Sequence, residues 1–149
     1  MRSVYRALAL LVALGVLVQA AAIAFGVFHM INDVDGGAVI DSTYDSSTNP
    51  GLSAHSMGAL IVGALAILLL LASFFVRFPG AKTWGVWTFV AVLAQWAFGL
   101  LAFGAPVVGL LHGANALAVF SLALLAARAA GRAGGAVPTA ARRPATADA

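Results

Sequence analysis

The chain has no cysteine among its 149 residues. That excludes structural disulfides, thiol catalysis and quinone reduction through a CxxC pair. Charge is almost as scarce: 9% of the residues are charged, against about 25% in a soluble domain. With 62% hydrophobic residues and a mean hydropathy of +1.02, the chain cannot cover itself with polar surface in water. Alternation of apolar and polar residues is also missing, which argues against strands. What is present instead is a set of long apolar runs rich in Ala and Leu.

There are four such runs, at about residues 7–30, 55–76, 84–103 and 107–127. Each has roughly the ~20 residues that a helix needs to cross a ~30 Å hydrocarbon core. The expected fold is all-α: a polytopic membrane protein whose residues 1–130 form an antiparallel four-transmembrane-helix bundle. Phe78-Pro79-Gly80 and Gly104-Ala105-Pro106 read as tight turns, and short turns make neighbouring helices antiparallel. Residues 131–149, composed mostly of Ala, Gly, Pro, Arg and Thr, read as a disordered cytoplasmic tail with weak affinity for anionic lipid.

Basic residues flank the runs and do not cluster as a nucleic-acid surface would, despite a pI of about 10.2. Arg2 and Arg6 precede the first run, Arg77 and Lys82 lie between the second and third, and Arg128, Arg132, Arg142 and Arg143 follow the fourth. The opposite loop, residues 31–54, holds Asp33, Asp35, Asp41 and Asp45 and no base. The positive-inside rule therefore predicts a multi-pass protein of the plasma (inner) membrane with both termini cytoplasmic. A competing reading takes the N-terminus as a signal peptide cleaved near Val18-Gln19-Ala20. Its apolar stretch is long for a signal, and cleavage would reverse the charge bias.

The spans hold no Asp or Glu, which argues against a proton-coupled four-span exporter. Asp33-Val34-Asp35-Gly36-Gly37 has the start of a calcium loop but lacks its later ligands and reads as a solvated acidic loop. The notable ionisable groups are the histidines His29, His55 and His112, the only three in the chain, all near the outer end. A buried imidazole in lipid is costly without a partner. His55 and His112 occupy matching places in two similar helices. At an offset of 57, Ala59, Leu60 and Val62 meet Ala116, Leu117 and Val119, while Gln19 in the first helix matches Gln95 in the third.

In an up-down bundle the second and fourth helices are diagonal, with axes ~11–14 Å apart when neighbours are ~8–10 Å apart. Two imidazoles reaching inward across that gap, a turn or so apart in depth, suit the axial positions of one haem iron. Gly58, Ala59, Gly113 and Ala116 stand within a turn of them as small residues for its faces. His29 is a spare ligand or a solvated residue near Asp33. A structural reading stands beside this: His55 capping its helix after Ser53, and His112 bonding across to Gln95 or Asn115 as helix glue. Trp84 and Trp87 fit an interfacial belt, and Trp96 reads as packing. Gly58, Gly63, Gly99 and Gly109 offer surfaces for close helix approach, within the chain or in an oligomer.

The stretch Val92-Leu93-Ala94-Gln95-Trp96-Ala97-Phe98-Gly99, followed by Leu111-His112-Gly113-Ala114 within 107–125, resembles the third and fourth helices of half a haem A synthase. The resemblance covers residues 84–126 best. It implies a His on the second helix and another on the fourth holding one haem, the positions of His55 and His112. The family's first outer loop typically carries an acidic catalytic residue and often a cysteine pair; here that loop has Asp but no Glu, and only one four-helix half is present. The chain is similar also to small four-span membrane proteins of actinobacterial type, for which the resemblance implies no activity. The expectation is thus a bis-His haem b protein for electron transfer or haem handling, with His55, His112, Gly58, Gly113 and Gln95 around the cofactor. No catalytic residue is assigned, and enzymatic activity of the haem A synthase kind is left open. The alternative is a non-catalytic accessory or assembly subunit of a larger membrane complex, with homo-oligomerisation open to either.

Overall fold

In the computed structural model, which describes residues 1–135, four helices follow one another: α1 (Arg2–Asp35), α2 (Pro50–Phe75), α3 (Ala81–Ala102) and α4 (Val108–Gly135). No strand occurs among the described residues. All four helices are long and apolar enough to cross a membrane. The backbones of α1 and α2, α2 and α3, α3 and α4, and α4 and α1 pack together, while the diagonal pairs do not approach. Contacts pair rising with falling numbers: Gly26 lies against Gly51 and Gly15 against Val62 across α1 and α2, and Gly63 against Trp96 and Gly85 against Ser73 across α2 and α3.

The helices extend beyond the apolar runs because hydrophobicity marks where lipid is, whereas caps and propensity mark where a helix ends. α1 has 34 residues, hence about 51 Å at ~1.5 Å per residue. α2 starts at Pro50, ahead of the expected residue 55. The Asn49 side-chain oxygen accepts from the Gly51 and Leu52 N–H groups at 3.0 and 3.1 Å, and Pro sits at the first helical position, where its missing N–H is not needed. Asn49 is buried, and its Nδ2 donates to the Gly26 carbonyl at 2.9 Å, tying this cap to α1. α4 continues to Gly135, so residues 131–135, expected as tail, are helical. The tail expected beyond, 136–149, lies outside the described residues. Asp33 and Asp35 belong to the last turn of α1, so the Asp33–Gly37 segment is not a cation loop.

The interior is built from small residues. Ala9, Val12, Ala13, Ala66, Ala123, Ala126 and Ala130 are buried, whereas Phe28, Leu100, Phe103, Leu110 and Leu117 are each at least two-thirds exposed. In water this would be an inside-out protein; in lipid, large side chains outside and small ones at the helix contacts are the expected solution. At the end where the chain begins, the buried Tyr5 donates its hydroxyl to the Ala81 carbonyl at 3.0 Å and meets Phe78 edge-on with ring centres 5.2 Å apart. This fixes α1 to the Phe78-Pro79-Gly80 turn, where Gly80 takes the left-handed φ of 83° that opens α3.

Candidate functional site: a histidine pair on the diagonal helices

His55 is the sixth residue of α2 and His112 the fifth of α4, counting from Pro50 and Val108. Counted from their helix starts, the two positions differ by one residue. Their rings meet across the diagonal, with centres 6.2 Å apart and planes inclined at 61°.

Each ring is held in the same way. His55 Nδ1 lies 3.1 Å from the Gln19 carbonyl oxygen on α1, and His112 Nδ1 lies 3.0 Å from the Gln95 carbonyl oxygen on α3. A carbonyl only accepts, so in both rings Nδ1 carries the proton and donates. Nε2 is then the lone-pair nitrogen of each neutral ring. The two halves of the chain thus repeat one contact, a His on the second helix of a pair bonded to the backbone of a Gln on the first. A carbonyl so placed fixes both the tautomer and the orientation of the imidazole.

The surroundings of the two rings differ. Over α2 the Gln19 amide lies on Gly58, so closely that a Cβ there would overlap its Nε2. At the corresponding place in α4 stands Asn115, whose Nδ2 donates to the Ala91 carbonyl and to Gln95 Oε1, both at 2.8 Å. Gln95 therefore serves twice, its backbone to His112 and its side chain to Asn115. His112 in turn covers Gly99, from whose Cβ position Cε1 and Nδ1 would lie 3.1 Å away. Gly113 has open space on its side, and Leu110, Leu111 and Leu117 face outward instead of covering His112. Gly58, Gly63 and Gly99 are used for contacts within the chain, against Gln19, Trp96 and His112, and Gly109 has nothing within 4 Å.

His29 stands apart from the pair's hydrogen bonds. Its Nδ1 lies 3.0 Å from Asp33 Oδ2, one helical turn on, with Phe25 edge-on to its ring at 6.0 Å. No group of three or more His, Cys, Asp or Glu side chains suited to a metal occurs among the described residues. In the α1–α2 loop, Asp41 and Asp45 are held below the usual aspartate range, Asp41 by the Thr43 hydroxyl and then its N–H, Asp45 by the Ser47 side chain and then its N–H. These are local turns and leave no acidic cluster aimed at the histidines.

The Asn49-Pro50 cap starts α2 at Pro50, ahead of the hydropathy boundary at residue 55. The carbonyl bonds leave no trace in side-chain identity, although the matched Gln positions marked where they fall. Compared with protein-family models, curated proteins and solved structures, the chain found no match.

Proposed function

We propose that this multi-pass membrane protein binds one haem b between His55 and His112, for electron transfer or haem handling. The observation that carries the reading is the paired, tautomer-fixed imidazoles with centres 6.2 Å apart. Two imidazoles on opposite sides of one metal would have ring centres about 6.2 Å apart, from about 2.0 Å of metal–nitrogen distance and about 1.1 Å from nitrogen to ring centre on each side. A pair of imidazole nitrogens is a donor set that a haem iron would accept.

The residues would then have distinct work. His55 and His112 would hold the haem iron through their ring nitrogens. The Gln19 and Gln95 carbonyls orient the rings and raise their basicity, and Asn115 braces Gln95. When bound, the haem supplies a one-electron couple or is itself the cargo. The resemblance to half a haem A synthase stays part of this proposal; the chain's own residues support the ligand pair and assign no catalytic group. The charge distribution supports an inner-membrane placement with both termini cytoplasmic and the histidines in the outer leaflet.

A second reading has its own support. Both imidazoles already bond across a helix interface, as glue would in an accessory subunit of a larger complex. Titration of the purified full chain with haem separates the two. The haem reading expects saturation at one per chain, with affinity falling by at least about tenfold in both His55→Ala and His112→Ala, about 1.4 kcal/mol or more for a lost axial bond. A protein that binds no haem, with both variants merely less stable, would establish the structural reading.

A further inference from the structure

At the end of the bundle away from the histidines, a groove of about 310 Å³ opens along the seam between α1 and α4. Its walls change character along the helix axis. Leu10 and Leu124 line the part nearer the middle of the bundle; Arg6, one turn before Leu10, and Arg128 and Arg132, one and two turns after Leu124, line the part nearer the helix ends. The three arginines are exposed. The Arg6 guanidinium lies against Gly131, from whose Cβ position its Cζ and Nε would be 3.8 Å away. A smaller cavity lined by Arg2, Ser3 and again Arg6 and Gly131 adjoins it. The carboxylates of the described residues, Asp33, Asp35, Asp41 and Asp45, all lie at the opposite end or in the α1–α2 loop, so none of them neutralises this groove. Asp148 lies outside the described residues.

From this arrangement we infer that the α1–α4 groove is a binding site for an anionic phospholipid. Its phosphate sits among Arg6, Arg128 and Arg132, and an acyl chain lies along Leu10 and Leu124 toward the bilayer centre. Guanidinium forks match phosphate oxygens in pairs. Basic grooves between membrane helices near the interface take acidic head groups. The polarity runs in the direction that a lipid in the adjoining leaflet has, head at the helix ends and tail inward. A Cβ at Gly131 would just touch the Arg6 guanidinium at 3.8 Å, so only a longer side chain there would fill the seam. None of this rests on the histidine pair.

The test is native mass spectrometry of the full chain in neutral detergent, with dioleoyl-phosphatidylglycerol, dioleoyl-phosphatidylcholine or inorganic phosphate added separately. Phosphatidylglycerol is expected to be retained at one per chain and phosphatidylcholine to be lost at the same activation energy. Inorganic phosphate at millimolar concentration is expected not to displace the lipid, because it lacks the chain that Leu10 and Leu124 hold. Each of Arg6→Gln, Arg128→Gln and Arg132→Gln should weaken binding about fivefold. Gly131→Leu, which keeps every charge but fills the seam, should weaken it at least as much, while Arg77→Gln in the α2–α3 turn should leave it unchanged. Equal loss in Arg77→Gln and Arg6→Gln would reduce the effect to overall charge and overturn the site. Retention of both lipids alike, or displacement by inorganic phosphate, would overturn it as well.

Discussion

At the scale of single residues, the chemistry turns on which imidazole nitrogen is engaged. A side-chain partner such as an amide could accept or donate, whereas a backbone carbonyl only accepts, so it fixes Nδ1–H in both rings and leaves Nε2 without the proton in a neutral ring. Asn115 has the most exacting supporting role, because its amide closes two acceptors at once. Asn115→Ala should cost about 1–2 kcal/mol, at roughly 0.6–1 kcal/mol for each hydrogen bond inside a membrane protein. Unfolding in mixed micelles would show the loss, and haem affinity should fall by less than in His112→Ala because the ligand itself remains. The histidines were legible as a pair because nothing else ionisable stood near them in the spans and their helices matched at an offset of 57. The sequence offers Gln95 or Asn115 as the partner of His112, and the structure gives it Gln95, through the backbone carbonyl. Asn115 bonds to the Gln95 side chain instead, and a carbonyl is a partner with no residue signature.

At the scale of the elements, composition named the helices and local chemistry set their ends. The apolar runs lie almost wholly within the four helices, yet α2 begins at its Asn49-Pro50 cap and α4 continues past its apolar stretch to Gly135. A hydropathy boundary reports lipid contact, so it is blind to a capped or Ala-rich extension. The α1–α2 crossing depends on Gly26 and Gly51, whose backbones touch so closely that a side chain at Gly51 would collide with the Gly26 backbone. Gly51→Val should therefore destabilise by about 1–3 kcal/mol, the usual cost of overpacking. Thermal unfolding in detergent should show a Tm several degrees lower. Gly109→Ala, where no atom lies within 4 Å, should leave Tm unchanged. A drop of the same size in both variants would mean that the crossing is not what fixes the pair.

At the scale of the whole molecule, large side chains outside and alanines within identify the solvent as lipid, and the two ends of the bundle differ in chemistry. One end carries the histidines and the acidic loop, the other the arginines. The charge bias predicts that the arginine end is cytoplasmic. Because the chain has no cysteine of its own, single Ser47→Cys and Lys82→Cys variants can be read without background. An impermeant maleimide added to intact cells should label the first and spare the second, and the opposite pattern would invert the topology. The repeat that was faint in Ala and Leu matches becomes tangible at this scale, as the same His-to-carbonyl contact in each half. We propose that the two halves meet to hold one iron between His55 and His112. The visible and electron paramagnetic resonance spectrum of the full chain purified with haem tests this. A low-spin haem with two imidazole ligands is expected, converted to a high-spin or unbound form by either His55→Ala or His112→Ala. A colourless protein, or a low-spin spectrum unchanged in both variants, would contradict it.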